Sequence, residues 1–205
     1  MRVAIMGTGN VGQALAVALR RAGHTVIFGA RTPDAARADE RTVRDAAAAA
    51  EIAILAVPFE AAGEVIVAAG GFPGKPLIDA TNPLGVADGE LSLTLGFETS
   101  GAERIAALAP RAHVVKAFNQ TGWENMQDAR AYLARPVMFV AGDDDASKAA
   151  ASTLVADAGF DAIDLGGLRA ARLLEPLAML WIELARKRGL GAEFCLALQR
   201  RGAGA

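Results

Sequence analysis

Between residues 3 and 19 the chain passes from a short apolar run, Val3 to Met6, through Gly7-Thr8-Gly9-Asn10-Val11-Gly12, into Val11, Leu15, Ala18 and Leu19 at helical spacing. A strand, a glycine turn and a helix in that order admit very few folds. Gly7 permits the tight turn, Gly9 lets the backbone approach a pyrophosphate without a Cβ in the way, and Gly12 lets the helix pack close to its strand. The first amides of a helix have no intrahelical acceptor, so an anion is favoured there. Gly7, Thr8, Gly9, Asn10, Val11 and Gly12 are therefore the expected cradle for the diphosphate of a dinucleotide.

The rest of the chain repeats the alternation. Runs rich in apolar and β-branched residues at 25–28, 52–57, 76–79, 113–117, 137–141 and 162–165 are separated by Ala-rich helical stretches, the pattern of a parallel sheet covered by helices. The clearest helices are Asn10 to Ala22, stopped by Gly23, and Ser147 to Ala158, stopped by Gly159. Ala35 to Ala50 reads as helix on propensity, and Leu84 to Ser100 reads as a long loop. Leu168 to Arg188 reads as one long helix with Leu173, Leu177, Leu180, Trp181 and Leu184 on its apolar stripe. The fold class is α/β, a Rossmann-type, doubly wound, mostly parallel sheet. With no linker in 205 residues, a single NADP-binding domain over 1–205 is expected, residues 168–205 forming a C-terminal helical extension.

The end of the second strand selects the nucleotide. An NAD site places Asp or Glu there to hold the ribose 2′-hydroxyl. This chain reads Phe28-Gly29-Ala30-Arg31-Thr32-Pro33. Arg31 suits a 2′-phosphate through paired, charge-assisted hydrogen bonds, and Thr32 adds a donor, so NADP(H) is the expected cofactor. Asp34 nearby leaves an acidic role open. Two further strand ends face the same crevice, Val57-Pro58 and Asn82-Pro83. They read either as contacts to the nicotinamide and its ribose or as ordinary exit turns.

Composition narrows the partners. A formal net charge of -2 provides no broad positive field, so neither nucleic acid nor an anionic membrane is expected. Cys195 is the single cysteine, which leaves no intrachain disulfide and no cysteine-based metal site, and a cytoplasmic location is expected. His24 and His113 stand at strand starts, away from the binding edge, and no metal or catalytic residue is assigned.

With those motifs in hand, the chain resembles the NADPH:coenzyme F420 oxidoreductase family over nearly its whole length. The resemblance rests on Gly7 to Gly12, Gly29-Ala30-Arg31, Asp79-Ala80-Thr81-Asn82-Pro83, Val114-Val115-Lys116-Ala117-Phe118-Asn119, and Leu174-Glu175-Pro176-Leu177-Ala178-Met179-Leu180-Trp181. It implies hydride transfer between NADP(H) and a small-molecule redox acceptor, coenzyme F420 or a flavin, with the two rings aligned and no catalytic acid required. It also implies that Lys116, Phe118 and Asn119 line the acceptor side. Lys116 is open to two roles, holding an acidic acceptor tail or packing its stem with the head in water. The chain differs from the family pattern at Gly166-Gly167-Leu168 and after Arg188. Two other functions stay open, an NADP-dependent imine or carbonyl reductase and a non-catalytic NADP-sensing module. The leucine stripe after Leu168 suits either a homodimer interface or packing on the chain's own sheet.

Overall fold

Val3, Ala4, Ile5 and Met6 have no exposure to solvent, a condition a strand meets only with paired neighbours on both edges and helices on both faces. In the computed structural model, which describes residues 1–199 and 201, that strand is β1 (Arg2–Met6), flanked by β2 (Thr25–Ala30) and β4 (Ile52–Leu55). Outward from these lie β3 (Glu40–Thr42) on one side and β5 (Pro76–Asp79), β8 (His113–Lys116), β9 (Val137–Gly142) and β10 (Asp161–Asp164) on the other. The sheet order is β10-β9-β8-β5-β4-β1-β2-β3, parallel throughout except where β8 meets β9. The run β3-β2-β1-β4-β5-β8 is the doubly wound order, and its direction reverses between β1 and β4. A ligand crevice belongs beyond the carboxyl ends at that reversal.

Two apolar layers cover the sheet. On one face α1 (Asn10–Arg21) and α6 (Asp145–Asp157) pack with Met126 of α5 (Trp123–Gln127) against Ile5, Phe28, Ile54, Ile78 and Val140. On the other face α2 (Val43–Ala49), α3 (Ala62–Ala68) and α4 (Gly101–Leu108) pack against Met6, Leu55 and Leu77. Helix α1 buries Ala14, Leu15, Ala18 and Leu19 on one stripe and stops where the pattern predicts. There His24 N donates to Leu19 O at 3.0 Å and Gly23 N to Arg20 O at 2.9 Å, with Gly23 at φ +88°. Only glycine adopts that left-handed turn without strain.

Three sequence expectations are corrected. The Ala-rich stretch is not one helix: residues 40–42 form the edge strand β3, paired with β2 through Phe28↔Glu40, and α2 starts only at Val43, capped by Thr42 accepting from Asp45 N. Helix propensity carries no information about a free sheet edge next door. The loop at 84–100 contains a hairpin, β6 (Leu84–Ala87) and β7 (Glu90–Leu93), joined by Asp88 and Gly89 at φ +52° and +78°. Asp-Gly is the residue pair for that two-residue turn; Gly85 and Ser92 in the flanking strands blur the alternation that would have exposed it. The C-terminal stretch is helical from Leu168 to Lys187, through a 3-10 turn, α7 (Ala171–Ile182) and a π turn. Its inward face, however, is Ala171, Leu174, Glu175, Ala178 and Trp181, while Leu173 and Leu180 are 62% and 52% exposed. Small residues and a carboxylate face inward because this helix docks on a buried ion network, described below. No helix among the described residues is long and apolar enough to cross a membrane.

Leu15 is fully buried where α1 meets β1. Leu15→Ala should lower unfolding free energy by about 2–5 kcal/mol, the scale of a cavity left in a packed core, and urea denaturation followed by circular dichroism measures it.

Candidate functional site

The crevice is built from backbone first. Gly7 N donates to Gly29 O at 3.1 Å and Ala56 N to Met6 O at 2.9 Å, which ties the ends of β1, β2 and β4 together. A Cβ on Gly7, which sits at φ +116°, would penetrate the Ala56 carbonyl and come within 2.9 Å of Val57 Cγ1; one on Gly12 would penetrate the Gly7 carbonyl. Packing alone therefore demands glycine at both positions. Gly9 is different. Its backbone is extended, φ -75° and ψ -174°, a conformation open to any residue, and an added Cβ would meet nothing within 4 Å. Packing among the described residues does not require glycine there, whereas a ligand lying on the backbone would.

The electrostatics agree with an anion at this point. Helix α1 starts without a side-chain cap and without an acidic residue in its first turn. Among the described residues, no acceptor is bound by the amides of residues 8–12, and Thr8, Gly9 and Asn10 are exposed. Bare amides at the positive end of a helix dipole are a fitting seat for a diphosphate.

At the end of β2, Arg31 and Thr32 are exposed beside this turn. The neighbouring carboxylates are engaged elsewhere. Asp34 Oδ1 accepts from Ala36 N at 2.9 Å, and Glu40 pairs with Arg37 at 2.8 Å. Asp39 pairs with Arg20 at 2.6 Å; its partial burial works against ionisation, but the charges and hydrogen bond of Arg20 and the charge of Arg37 prevail and hold its carboxyl below the usual range. Among the described residues Arg31 has one neighbour of opposite charge, Glu64, at 3.8 Å. Val57 is half-buried against Gly7, and the exposed Pro58 begins a short turn leading into α3.

The residues expected on the acceptor side are placed beneath the crevice. Lys116 has no exposure: its Nζ lies 2.8 Å from Asp79 Oδ2, 2.9 Å from Glu175 Oε1 and 2.7 Å from Thr81 O. Nζ donates hydrogen bonds to Asp79 Oδ2 and Thr81 O and pairs in charge with Glu175, so the ammonium is enclosed by partners and does not reach water. Phe118 is fully buried with its ring edge-on to Phe160, on a left-handed backbone at φ +61°. Asn119 is likewise buried and exchanges amide hydrogen bonds with Asn82: Asn82 Nδ2 donates to Asn119 O at 2.9 Å and Asn119 Nδ2 to Asn82 Oδ1 at 3.0 Å. Asn119 Nδ2 also reaches Leu174 O at 3.0 Å. Asn82 is half-buried, with Pro83 buried beside it. These side chains lock the exits of β5 and β8 to α7.

Sequence reasoning passed over Asp79 and Glu175 as partners. The signal was present: Asp79 and Lys116 end two apolar strands, and the register pairs them directly. Glu175 stands alone in an apolar run. Its second oxygen accepts from Gly101 N at 2.8 Å, and Oε1 from Ala102 N at 3.2 Å, so a carboxylate on α7 closes the start of α4. Arg172 adds a two-pronged bond to Glu103, at 2.7 and 2.8 Å, and this guanidinium holds the Glu103 carboxyl below its usual range. His24 bonds Asp157 at 2.9 Å, and His113 opens β8, both at the amino edge of the sheet. Burial pushes the Cys195 thiol up, away from the reactive thiolate.

Residues 2–83 match the family described as NADP oxidoreductase coenzyme F420-dependent. The chain is 32% identical to the F420-dependent NADP reductase of Methanothermobacter marburgensis, across 90% of this chain and 92% of that protein. It is 30% identical to the metalloreductase STEAP3 of Rattus norvegicus across 87% of this chain, and it spans only 36% of that longer protein. Among solved structures, a candidate F420-dependent NADP-reductase from Arthrobacter sp. FB24 superposes with a TM-score of 0.88 at 34% identity, covering 98% of this chain and 100% of that one. A reductive aminase from Aspergillus terreus in complex with NADPH shares the fold at a TM-score of 0.67 and 22% identity, over 92% of this chain and 62% of that one.

Lys116→Met strands two buried carboxylates, and the expected loss in urea titration is about 3–5 kcal/mol, the cost of an unpaired buried charge. The Glu103 contribution has the opposite pH sense from a raised base. It is complete above the unfolded carboxyl value of about 4.3 and fades as pH falls through the lowered folded value. Thermal melts should therefore show a smaller loss between about pH 5 and pH 3 for Glu103→Gln than for the parent.

Proposed function

Because the chain belongs to the coenzyme F420-dependent NADP oxidoreductase family, we propose that this NADP-dependent oxidoreductase moves hydride between NADP(H) and a second redox carrier of the deazaflavin or flavin type. NADP(H) is the cofactor, and its reduced ring supplies the hydride when bound. The residues fit that nucleotide. Gly7 to Gly12 hold the diphosphate on bare amides, Arg31 and Thr32 hold the 2′-phosphate, and Val57, Pro58, Asn82 and Pro83 border the nicotinamide half. Residues 1–205 work as one nucleotide-binding unit, to which the C-terminal extension from residue 168 belongs.

The observation that carries the reading is Gly9: packing among the described residues does not demand glycine there, and a diphosphate lying on the bare amides of α1 would. Protein chemistry beyond alignment is not required, because both reactants carry their own reactive carbons. That agrees with both histidines lying at the amino edge, opposite the crevice. What the chain contributes is orientation. The Asn82–Asn119 exchange and the Lys116 cluster hold the exits of β5 and β8 rigid, so two flat rings meet a fixed wall. Side chains fixed by packing keep such a geometry better than loops do.

Mixing the protein with NADPH and, in separate cuvettes, coenzyme F420, a flavin, a ferric chelate or a cyclic imine distinguishes the acceptors through loss of nicotinamide absorbance. Fast turnover with the deazaflavin or flavin is expected. Turnover with the imine alone would replace this reading by imine reduction, and tight binding without turnover on any acceptor would leave a sensor. Arg31→Ala should weaken NADPH by about 1.5–3 kcal/mol, the scale of a hydrogen bond to a charged group, and leave NADH affinity unchanged; calorimetry with both nucleotides checks it.

A further inference from the structure

Sheet order puts one surface ion pair in an unusual place. Arg31 follows β2, and Glu64 lies in the first turn of α3, the helix that follows β4. Between β2 and β4 runs β1, whose exit is the glycine turn. Neighbouring strands are about 4.8 Å apart, so β2 and β4 exits are separated by roughly 10 Å. The Arg31 and Glu64 side chains cross that gap and meet with Nη2 3.8 Å from Oε2. The pair therefore bridges the adenosine side of the turn on which the diphosphate sits.

Stability does not explain this bridge. Both side chains are open to water, 85% for Arg31 and 80% for Glu64, and exposed pairs contribute only about 0.2–1 kcal/mol. Among the described residues neither group makes any other ion pair or hydrogen bond. The other acidic groups near β2, Asp34, Asp39 and Glu40, are held by their own partners and do not reach Arg31. Glu64 is thus the one carboxylate that contests the guanidinium.

We propose that Glu64 is a specificity-determining residue, an internal competitor for Arg31 that the nucleotide 2′-phosphate has to displace. The inference rests on the reading of Arg31 as the 2′-phosphate ligand. A carboxylate and a phosphate present the same acceptor geometry to a guanidinium, so one replaces the other. The displaced carboxylate then stays within a few ångströms of a like charge, which lowers NADPH affinity. A nucleotide with a bare 2′-hydroxyl brings no such charge and gains nothing from the exchange. Glu64 therefore holds the preference for NADPH over NADH below what Arg31 alone would give.

The test is a set of dissociation constants for NADPH and NADH, measured on the parent, Glu64→Gln, Arg31→Ala and the double variant. Salt is set at about 0.05 M and about 0.5 M, to compare weak with strong screening. At low salt Glu64→Gln should tighten NADPH roughly two- to fivefold, the scale of one exposed pair, with NADH unchanged. The gain should shrink at high salt and disappear in the Arg31→Ala background. Unaltered NADPH affinity in Glu64→Gln overturns the proposal, as does a full gain without Arg31, which would mean bulk charge. Weaker NADH binding overturns it too and makes Glu64 a ribose ligand. If Arg31→Ala itself leaves NADPH affinity untouched, the reading of Arg31 fails, and the proposal falls with it for a reason these data separate. Both positions are exposed, so an unchanged melting temperature for each variant shows that folding is intact.

Discussion

Three stretches of backbone come together at the end of β1 more closely than any Cβ would allow. Gly7 lies against the Ala56 carbonyl, and Gly12 lies against the Gly7 carbonyl. That close approach aims α1 so that its first amides open over the carboxyl ends of β1 and β4. The anion seat, the direction of the crevice and the position of Arg31 beside it all follow from this geometry. A bulkier residue at either position would tilt the helix away from the sheet and remove the seat with it.

The second organising element is charged and buried. Lys116, Asp79 and Glu175 meet where no water reaches, one cation against two carboxylates. The excess negative charge lies at the start of α4, where Gly101 and Ala102 donate their amides to Glu175. Such a cluster is a weak source of net stability, since desolvation offsets much of the attraction, but it tolerates few alternative arrangements. Here it fixes α7 across the ends of β5 and β8. With the Asn82–Asn119 exchange it converts two strand exits and a helix into one rigid wall. The chemistry proposed for this chain asks for such a wall, because alignment of two rings is its main contribution.

The strands were legible because their residues are buried on both faces and read as continuous apolar runs, as at Val3 to Met6 and Ile52 to Leu55. Helix α1 was legible because Gly23 ends an amphipathic run. Where the reading failed, the cause was a partner distant in the chain. Residues 40–42 become strand because β2 offers an open edge, and Leu173 and Leu180 turn outward because Glu175 is drawn inward by Lys116. Lys116, Phe118 and Asn119 were recognised as a group that matters, yet the sequence pattern has no means of showing whether a motif lines a crevice or supports it.

Sequence by itself determined the nucleotide end of this protein. Glycine spacing and a guanidinium in place of a carboxylate are local features, set by residues within one strand-turn-helix unit and the strand after it, and their physics needs no distant contact. Only the tertiary structure decided which polar residues are buried and paired and which stay open to solvent. Burial and pairing depend on groups that lie far apart along the chain, Lys116 with Glu175 and Arg31 with Glu64. The cost of an unpaired charge in a dry interior, and the freedom of a paired one in water, assign their roles.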